Sequence, residues 1–162
     1  MSSTVRITDK NPEALRELGN RLKSTRRVRV GVQGSEASRP HGGKATVADI
    51  GAIHEFGLGN NPVRSWLRGW YDENESKIAE DIRNGFRKVI AGDISIDTLC
   101  EALGLRFVSG IQERISAGIA PPLSPETIAR KESSTPLIDT NLFRSSITFV
   151  VESTGEMTGV TL

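Results

Sequence analysis

Cysteine is almost missing from this sequence. Its 162 residues include one, Cys100, so no disulfide can form within the chain. Cys100 falls on the apolar side of an expected helix and reads as a small buried hydrophobe, not as a nucleophile. Aromatic residues are scarce too, at 5%. Neither sign of charge is in surplus: 21 basic and 20 acidic residues leave a formal net charge of +1. Gripping nucleic acid through its phosphates requires a concentrated basic surface, and this balance argues against that as the main task. No stretch approaches the ~18 apolar residues of a membrane span. The first residues, MSSTVRITDK, hold no apolar core of signal-peptide length, so a reducing, aqueous compartment is expected. What remains, 36% hydrophobic and 25% charged, suits one soluble globular domain over residues 1–162.

Periodicity sets the order of elements. Asn11-Pro12-Glu13 starts a helix, and Leu15, Leu18 and Leu22 carry it to about Lys23. In Arg26-Arg27-Val28-Arg29-Val30-Gly31-Val32 every second residue from Val28 is valine, which is a half-buried strand. Residues 33–46, QGSEASRPHGGKAT, hold almost nothing apolar and read as a long loop, mobile in the free chain. Val47 to Phe56 reads as a short helix with Val47, Ile50, Ile53 and Phe56 on one stripe. A long helix is expected from Ser65 to Ala91, its face made by Trp70, Ile78, Ile82, Phe86 and Val89 and weakened at Gly69 and Gly85. A second long helix is expected from the Ser95 cap to Gly118, carrying Leu99, Cys100, Leu103, Phe107, Ile111 and Ile115. Ser124 caps a short helix to Lys131. After a turn at residues 132–136, a helical turn is expected at 141–144. Ile147, Phe149 and Val151 then make a strand, residues 153–156 a turn, and 157–162 a hairpin partner. The fold class is therefore α+β: a small antiparallel or mixed sheet, from the strand near 26–32 and a hairpin at 146–162, packed against several helices including two long ones.

The stretch AIHEFGLGNNPVRSWLRGW, Ala52 to Trp70, concentrates the residues able to carry chemistry. His54-Glu55 begins like a zinc-protease helix, but that motif needs a second histidine four residues on. Leu58 stands there, and the other histidine is His41 in the loop. Gly57-Leu58-Gly59 is no dinucleotide fingerprint, because its third glycine would be Pro62. Gly43-Lys44-Ala45-Thr46 lacks the Gly-Lys-Ser/Thr of a phosphate loop. No Gly-x-Ser-x-Gly occurs. Nothing singles out a pair among the many carboxylates. Arg64, Arg68, Trp66 and Trp70 could stack on nucleic acid, but tryptophan and arginine also dominate protein interfaces, and core or interface is the favoured reading.

AIHEFG followed by NPVRSWLR resembles a signature of tailed-bacteriophage neck or tail-completion proteins, a family also described as virion morphogenesis proteins. The segment from Ala120 to Thr148, APPLSPETIARKESSTPLIDTNLFRSSIT, resembles a second stretch of the same family, and VRVGV before the loop fits as well. Ser65 and Trp66 depart from the usual proline and phenylalanine, and Asn141 stands where glycine is common. Asn is the non-glycine residue that best tolerates a left-handed backbone.

The resemblance implies a structural virion protein without catalytic residues, cofactor or metal: a subunit of a ring that joins the DNA-filled head to the tail. It implies self-association, with six subunits as the first expectation and twelve as the second, and portal or connector and tail-terminator or tail-tube proteins as partners. DNA would pass through the lumen without specific binding, and no membrane is involved. The location would be the virion, with assembly in the host cytoplasm. Candidate interface residues are His54, Glu55, Phe56, Arg64, Trp66, Arg68 and Trp70 of the corner, with Arg39, His41 and Lys44 of the loop. A tail terminator or other minor tail protein is the alternative. A phage DNA-binding protein or enzyme is the alternative of another class.

With no second histidine beside His54-Glu55, purified protein is expected to carry no stoichiometric zinc. Elemental analysis tests this. One metal per chain, lost in His54→Ala, would overturn it.

Overall fold

A computed structural model describes residues 12–41, 44–131 and 141–156. Helix α1 (Pro12–Leu22) leads into strand β1 (Ser24–Val32). Helices α2 (Val47–Phe56), α3 (Arg68–Ala91), α4 (Ile96–Ala117), α5 (Pro125–Lys131) and α6 (Leu142–Ser145) follow, and strand β2 (Ile147–Glu156) comes last. This is the expected α+β architecture with a small sheet.

β1 and β2 pair antiparallel, with Val32 opposite Ile147, Val30 opposite Phe149 and Val28 opposite Val151. The turn expected at residues 153–156 is instead strand. β1 begins at Ser24, before its valines start to alternate, and so offers Ser153 to Glu156 a partner across an irregularity between Ser24 and Arg26. A hydrogen bond from Thr154 Oγ1 to Thr25 Oγ1 (2.8 Å) joins the two strands there. The expected return strand at 157–162 and the turn at 132–136 lie outside the described residues.

The described parts of the expected loop, 33–41 and 44–46, have regular features. Gly34–Glu36 form a 3-10 turn, Pro40 bridges to Thr46, and Ser146 Oγ donates to Glu36 at 3.0 Å. At Asn141 the backbone is left-handed, at φ 61°.

α4 lies between the sheet and α3, touching both strands and running antiparallel to its helical neighbour. The approach is close because glycines stand where it is closest. A Cβ at Gly104 would overlap the Phe149 ring, one at Gly110 the Trp70 indole, and one at Gly85 the Leu99 side chain. Gly69 and Gly85 are therefore not weak points: α3 runs through both without interruption, and each meets α4. Two ion pairs tie the same helices, Arg106 with Asp81 and Arg114 with Glu73. The core of Val47, Trp66, Trp70, Ile78, Ile111, Ile115, Ile119, Phe143 and Ile147 fills the space where α2, α3, α4 and α6 converge on β2.

Two helix faces differ from their periodicity. α2 buries Val47, Gly51, His54 and Glu55, while Phe56, expected on its apolar stripe, is 60% exposed. α3 starts at Arg68, not Ser65, and Phe86 of its expected face is exposed while Gly85 is buried. In both helices a glycine takes the inward position, because a neighbour presses against the backbone.

Alanine favours a helix over glycine by about 1 kcal/mol, but overpacking costs about 1–3 kcal/mol, and an aromatic ring already fills the space at Gly104 and Gly110. Gly104→Ala and Gly110→Ala are both expected to melt below wild type. Thermal unfolding followed by circular dichroism reads this out, and unchanged or raised melting of both would count against the packing.

Candidate functional site: the α2–α3 corner

The corner is built by two capped helix ends. At the start of α2, Thr46 and Asp49 cap reciprocally: the Asp49 backbone N–H donates to Thr46 Oγ1 (3.2 Å), and the Thr46 backbone N–H and hydroxyl both donate to Asp49 Oδ2 at 2.8 Å. Those two hydrogen bonds hold the Asp49 carboxyl below the usual carboxylate range, the backbone one foremost. α2 ends at Gly57, whose left-handed φ of 66° lets the Leu58 N–H return to the Ile53 carbonyl at 3.0 Å. A Cβ at Gly57 would also press on Val63. The chain then loops back, and the Arg64 N–H donates to the His54 carbonyl at 2.7 Å.

Glu55 sits at the centre, 6% exposed. It accepts from Ser65 Oγ (2.7 Å) and the Arg68 N–H (3.2 Å) on one oxygen and from the Leu67 N–H (2.9 Å) on the other. Ser65 Oγ in turn accepts from the Gly69 N–H at 2.9 Å. These N–H groups open α3 and have no partner within that helix. Glu55 is thus the N-terminal cap of α3, supplied by another helix, with its negative charge at the positive end of the helix dipole.

Arg64 is 4% exposed. Its guanidinium donates to the Pro121 carbonyl (Nε, 2.6 Å) and the Pro122 carbonyl (Nη2, 3.0 Å), and burial lowers its pKa from the ordinary arginine value. Trp66 donates from Nε1 to the Gly51 carbonyl at 2.9 Å and meets Phe143 edge-on at 5.0 Å between centroids. Gly51 leaves room for both rings. Trp70 packs at 5.5 Å on Phe107 of α4.

The structure divides the ten candidate residues. His54, Glu55, Arg64, Trp66 and Trp70 are buried within the chain. These five side chains shape the corner from inside and are not free to touch another molecule. Phe56, Arg68, Arg39 and Lys44 are exposed, and His41 is half-buried. Arg39 pairs with Glu36 at 3.3 Å, and its carbonyl accepts from the Val47 N–H at 2.9 Å, which attaches the loop to the start of α2. Leu58 and Val63, which the sequence reading did not single out, are exposed beside Phe56 in the same turn. Beside the corner, a cleft of about 580 Å³ is lined by Val63, Ser65, Glu73, Arg114 and Ile119 among others. Its arginine already pairs with Glu73 and donates to the Ser65 carbonyl at 3.2 Å, so the cleft presents a neutralised ion pair.

Cys100 is buried, and that burial raises its thiol pKa, which disfavours the nucleophilic thiolate. Among the described residues, no group of three or more His, Cys, Asp and Glu is placed to hold a metal ion, and no helix is long and apolar enough to cross a membrane. Compared with models of protein families, with curated proteins and with solved structures, the chain matches none.

Removing Glu55 would strand its donors in a part-buried site, where hydrogen bonds to a charged group are worth roughly 1.5–3 kcal/mol each. Glu55→Ala is expected to lose about 3 kcal/mol or more. Glu55→Gln should fall between, because an amide keeps one accepting oxygen and turns the other position into a donor. Urea unfolding followed by tryptophan fluorescence measures both. Wild-type stability of Glu55→Ala would remove Glu55 from this role.

Proposed function

We propose that this chain is a structural subunit of a tailed-bacteriophage virion. In this reading it is a ring-forming neck or tail-completion component that joins the DNA-filled head to the tail, and it performs no catalysis. One observation carries the reading beyond sequence resemblance. The two segments that resemble the phage family, Ala52 to Arg68 and Ala120 to Thr148, lie far apart in the chain and are in contact in the fold. Arg64 of the first holds the Pro121 and Pro122 carbonyls of the second, and Trp66 of the first packs on Phe143 of the second. Two motifs that build one unit are more specific than two motifs that merely share a sequence.

The signature residues act by fixing the angle between α2 and α3. The surface offered to neighbours is then the exposed side of the corner: Phe56, Leu58, Val63 and Arg68, with Arg39 and Lys44 of the attached loop. Ring closure joins two different surfaces of successive subunits. The family's sixfold tail tube makes six subunits the expected number, and its twelvefold portal makes twelve the alternative. A chain that closes no ring when free fits this role, since many contacts form together only on a ring-shaped partner.

The experiment deletes the gene from the phage genome that carries it and images the lysate. DNA-filled heads and tails that fail to join into stable infectious particles are expected. Normal yields of joined, infectious virions would overturn the reading.

A further inference from the structure

We propose that the outward face of α3 docks on the same face of a second copy of this chain, with the two helices antiparallel about a two-fold axis near Ala79. The proposal does not rest on the virion reading. A two-fold contact joins two free chains, or two rings face to face, whereas closing a ring uses two different surfaces.

The observation is a charge order that is its own complement when reversed. Positions four apart along one ridge of α3 are Tyr71, Glu75, Ala79, Arg83 and Arg87, and all are exposed. An antiparallel copy centred on Ala79 sets Glu75 of each chain against Arg83 of the other, and Tyr71 against Arg87. Opposite charges and a cation over an aromatic face are both attractive pairings. At the crossing point stands alanine, the side chain that lets two such ridges approach closely. Beside this ridge run Ile82, half-buried, and the exposed Phe86 and Ile90, which supply apolar surface to bury.

The isolated helix does not account for this order. Acidic residues near a helix start and basic ones near its end stabilise it through the dipole, but only within the first and last turn. Glu75 and Arg83 lie about two turns inside the two ends of α3. Glu75 has no cation within helical reach, since positions 71, 72, 78 and 79 are Tyr, Asp, Ile and Ala. Neither Glu75 nor Arg83 makes a side-chain hydrogen bond or ion pair among the described residues. An unrelated partner would need a complementary face, with no reason for this one to be self-complementary.

Sedimentation equilibrium of the full chain at tens of micromolar and low salt is expected to show a dimer. Glu75→Arg and Arg83→Glu should each weaken it at least about tenfold, a modest loss for a pair of opposed charges. Mixing the two variants should restore a heterodimer, because each then offers what the other lacks. Ala79→Cys should cross-link to itself under mild oxidation. Asn84→Cys on another face of α3, and wild type with its buried Cys100, should not. Circular dichroism checks that these surface variants stay folded. A monomer throughout, a mixture that fails to associate, or a dimer that ignores the reversals and does not cross-link at position 79 would each overturn the contact. Ring assembly should survive both reversals, because closing a ring uses two other surfaces, so failure of the two-fold contact leaves the virion reading in place.

Discussion

One buried carboxylate fixes where α3 begins. Glu55 leaves the last turn of α2 and takes the Leu67 and Arg68 N–H groups that open α3. Those groups need partners wherever a helix starts, and here the partner belongs to another helix. The angle between α2 and α3 is therefore set by hydrogen-bond geometry and not by apolar contact alone. Apolar packing tolerates sliding, whereas a carboxylate holding donors on both oxygens does not. Trp66, between the two helix ends, adds a hydrogen bond to the α2 backbone and an edge contact to Phe143. Arg64 brings in the chain after α4 by holding two of its carbonyls.

From that corner the remaining layers follow by close approach. α3 returns as α4 through a turn capped by Gly92, at φ 85°, where the Asp93 N–H reaches the Lys88 carbonyl at 2.9 Å. Ser95 then caps α4 by accepting from the Thr98 N–H at 3.0 Å. Gly85 and Gly110 let α3 and α4 nearly touch, and Gly104 lets the sheet do the same through Phe149. A two-stranded sheet has little stability alone. This one is held because α4 lies along its inner face, and because Arg26 of β1 pairs with Asp97 in the first turn of α4 at 2.5 Å. That guanidinium holds the Asp97 carboxyl below the usual range, so the pair is formed near neutral pH and is lost as acid titrates the carboxylate through its lowered pKa.

Local signals were legible in the sequence, and long-range ones were not. Pro12, Ser95, Ser124, Gly92 and Gly118 marked helix ends correctly because a cap is a relation between near neighbours. Valine alternation located β1 for the same reason. The role of Glu55 escaped, since its donors are more than two helical turns away and belong to another element. A signal did exist: a carboxylate in the last turn of a helix is opposed by that helix's own dipole, so a glutamate there is better placed if it caps something else. The helical glycines were misread in the same way. Propensity counts Gly69 and Gly85 as losses, but a glycine on the apolar side of a long amphipathic helix also marks where another backbone or ring comes close. Phe56 and Phe86 fell on the apolar stripe by period but lie outward, because Glu55 and Gly85 beside them take the inward places.

The division of the corner into a buried signature and an exposed rim bears on how such a motif can relate to assembly. If recurring residues in a ring protein were the ones in contact with neighbours, the tryptophans and Arg64 should lie at the surface. They lie inside, and the chain itself uses Trp66 Nε1 and the Nε and Nη2 of Arg64. Under the virion reading the signature then specifies a shape, and the outer residues specify the neighbour. Phe56, Leu58 and Val63 can differ between proteins that join different partners, while Glu55, Arg64 and Trp66 must stay if the angle between the helices is to stay. A substitution inside should lower stability and assembly together, whereas one on the rim should lower assembly with stability unchanged. Comparing Arg64→Ala with Phe56→Asp separates the two, since Phe56 is already mostly in water and its loss costs the fold little. If Phe56→Asp unfolded the chain as readily as Arg64→Ala, the rim would belong to the fold, and the distinction between shape and contact would fail at this corner.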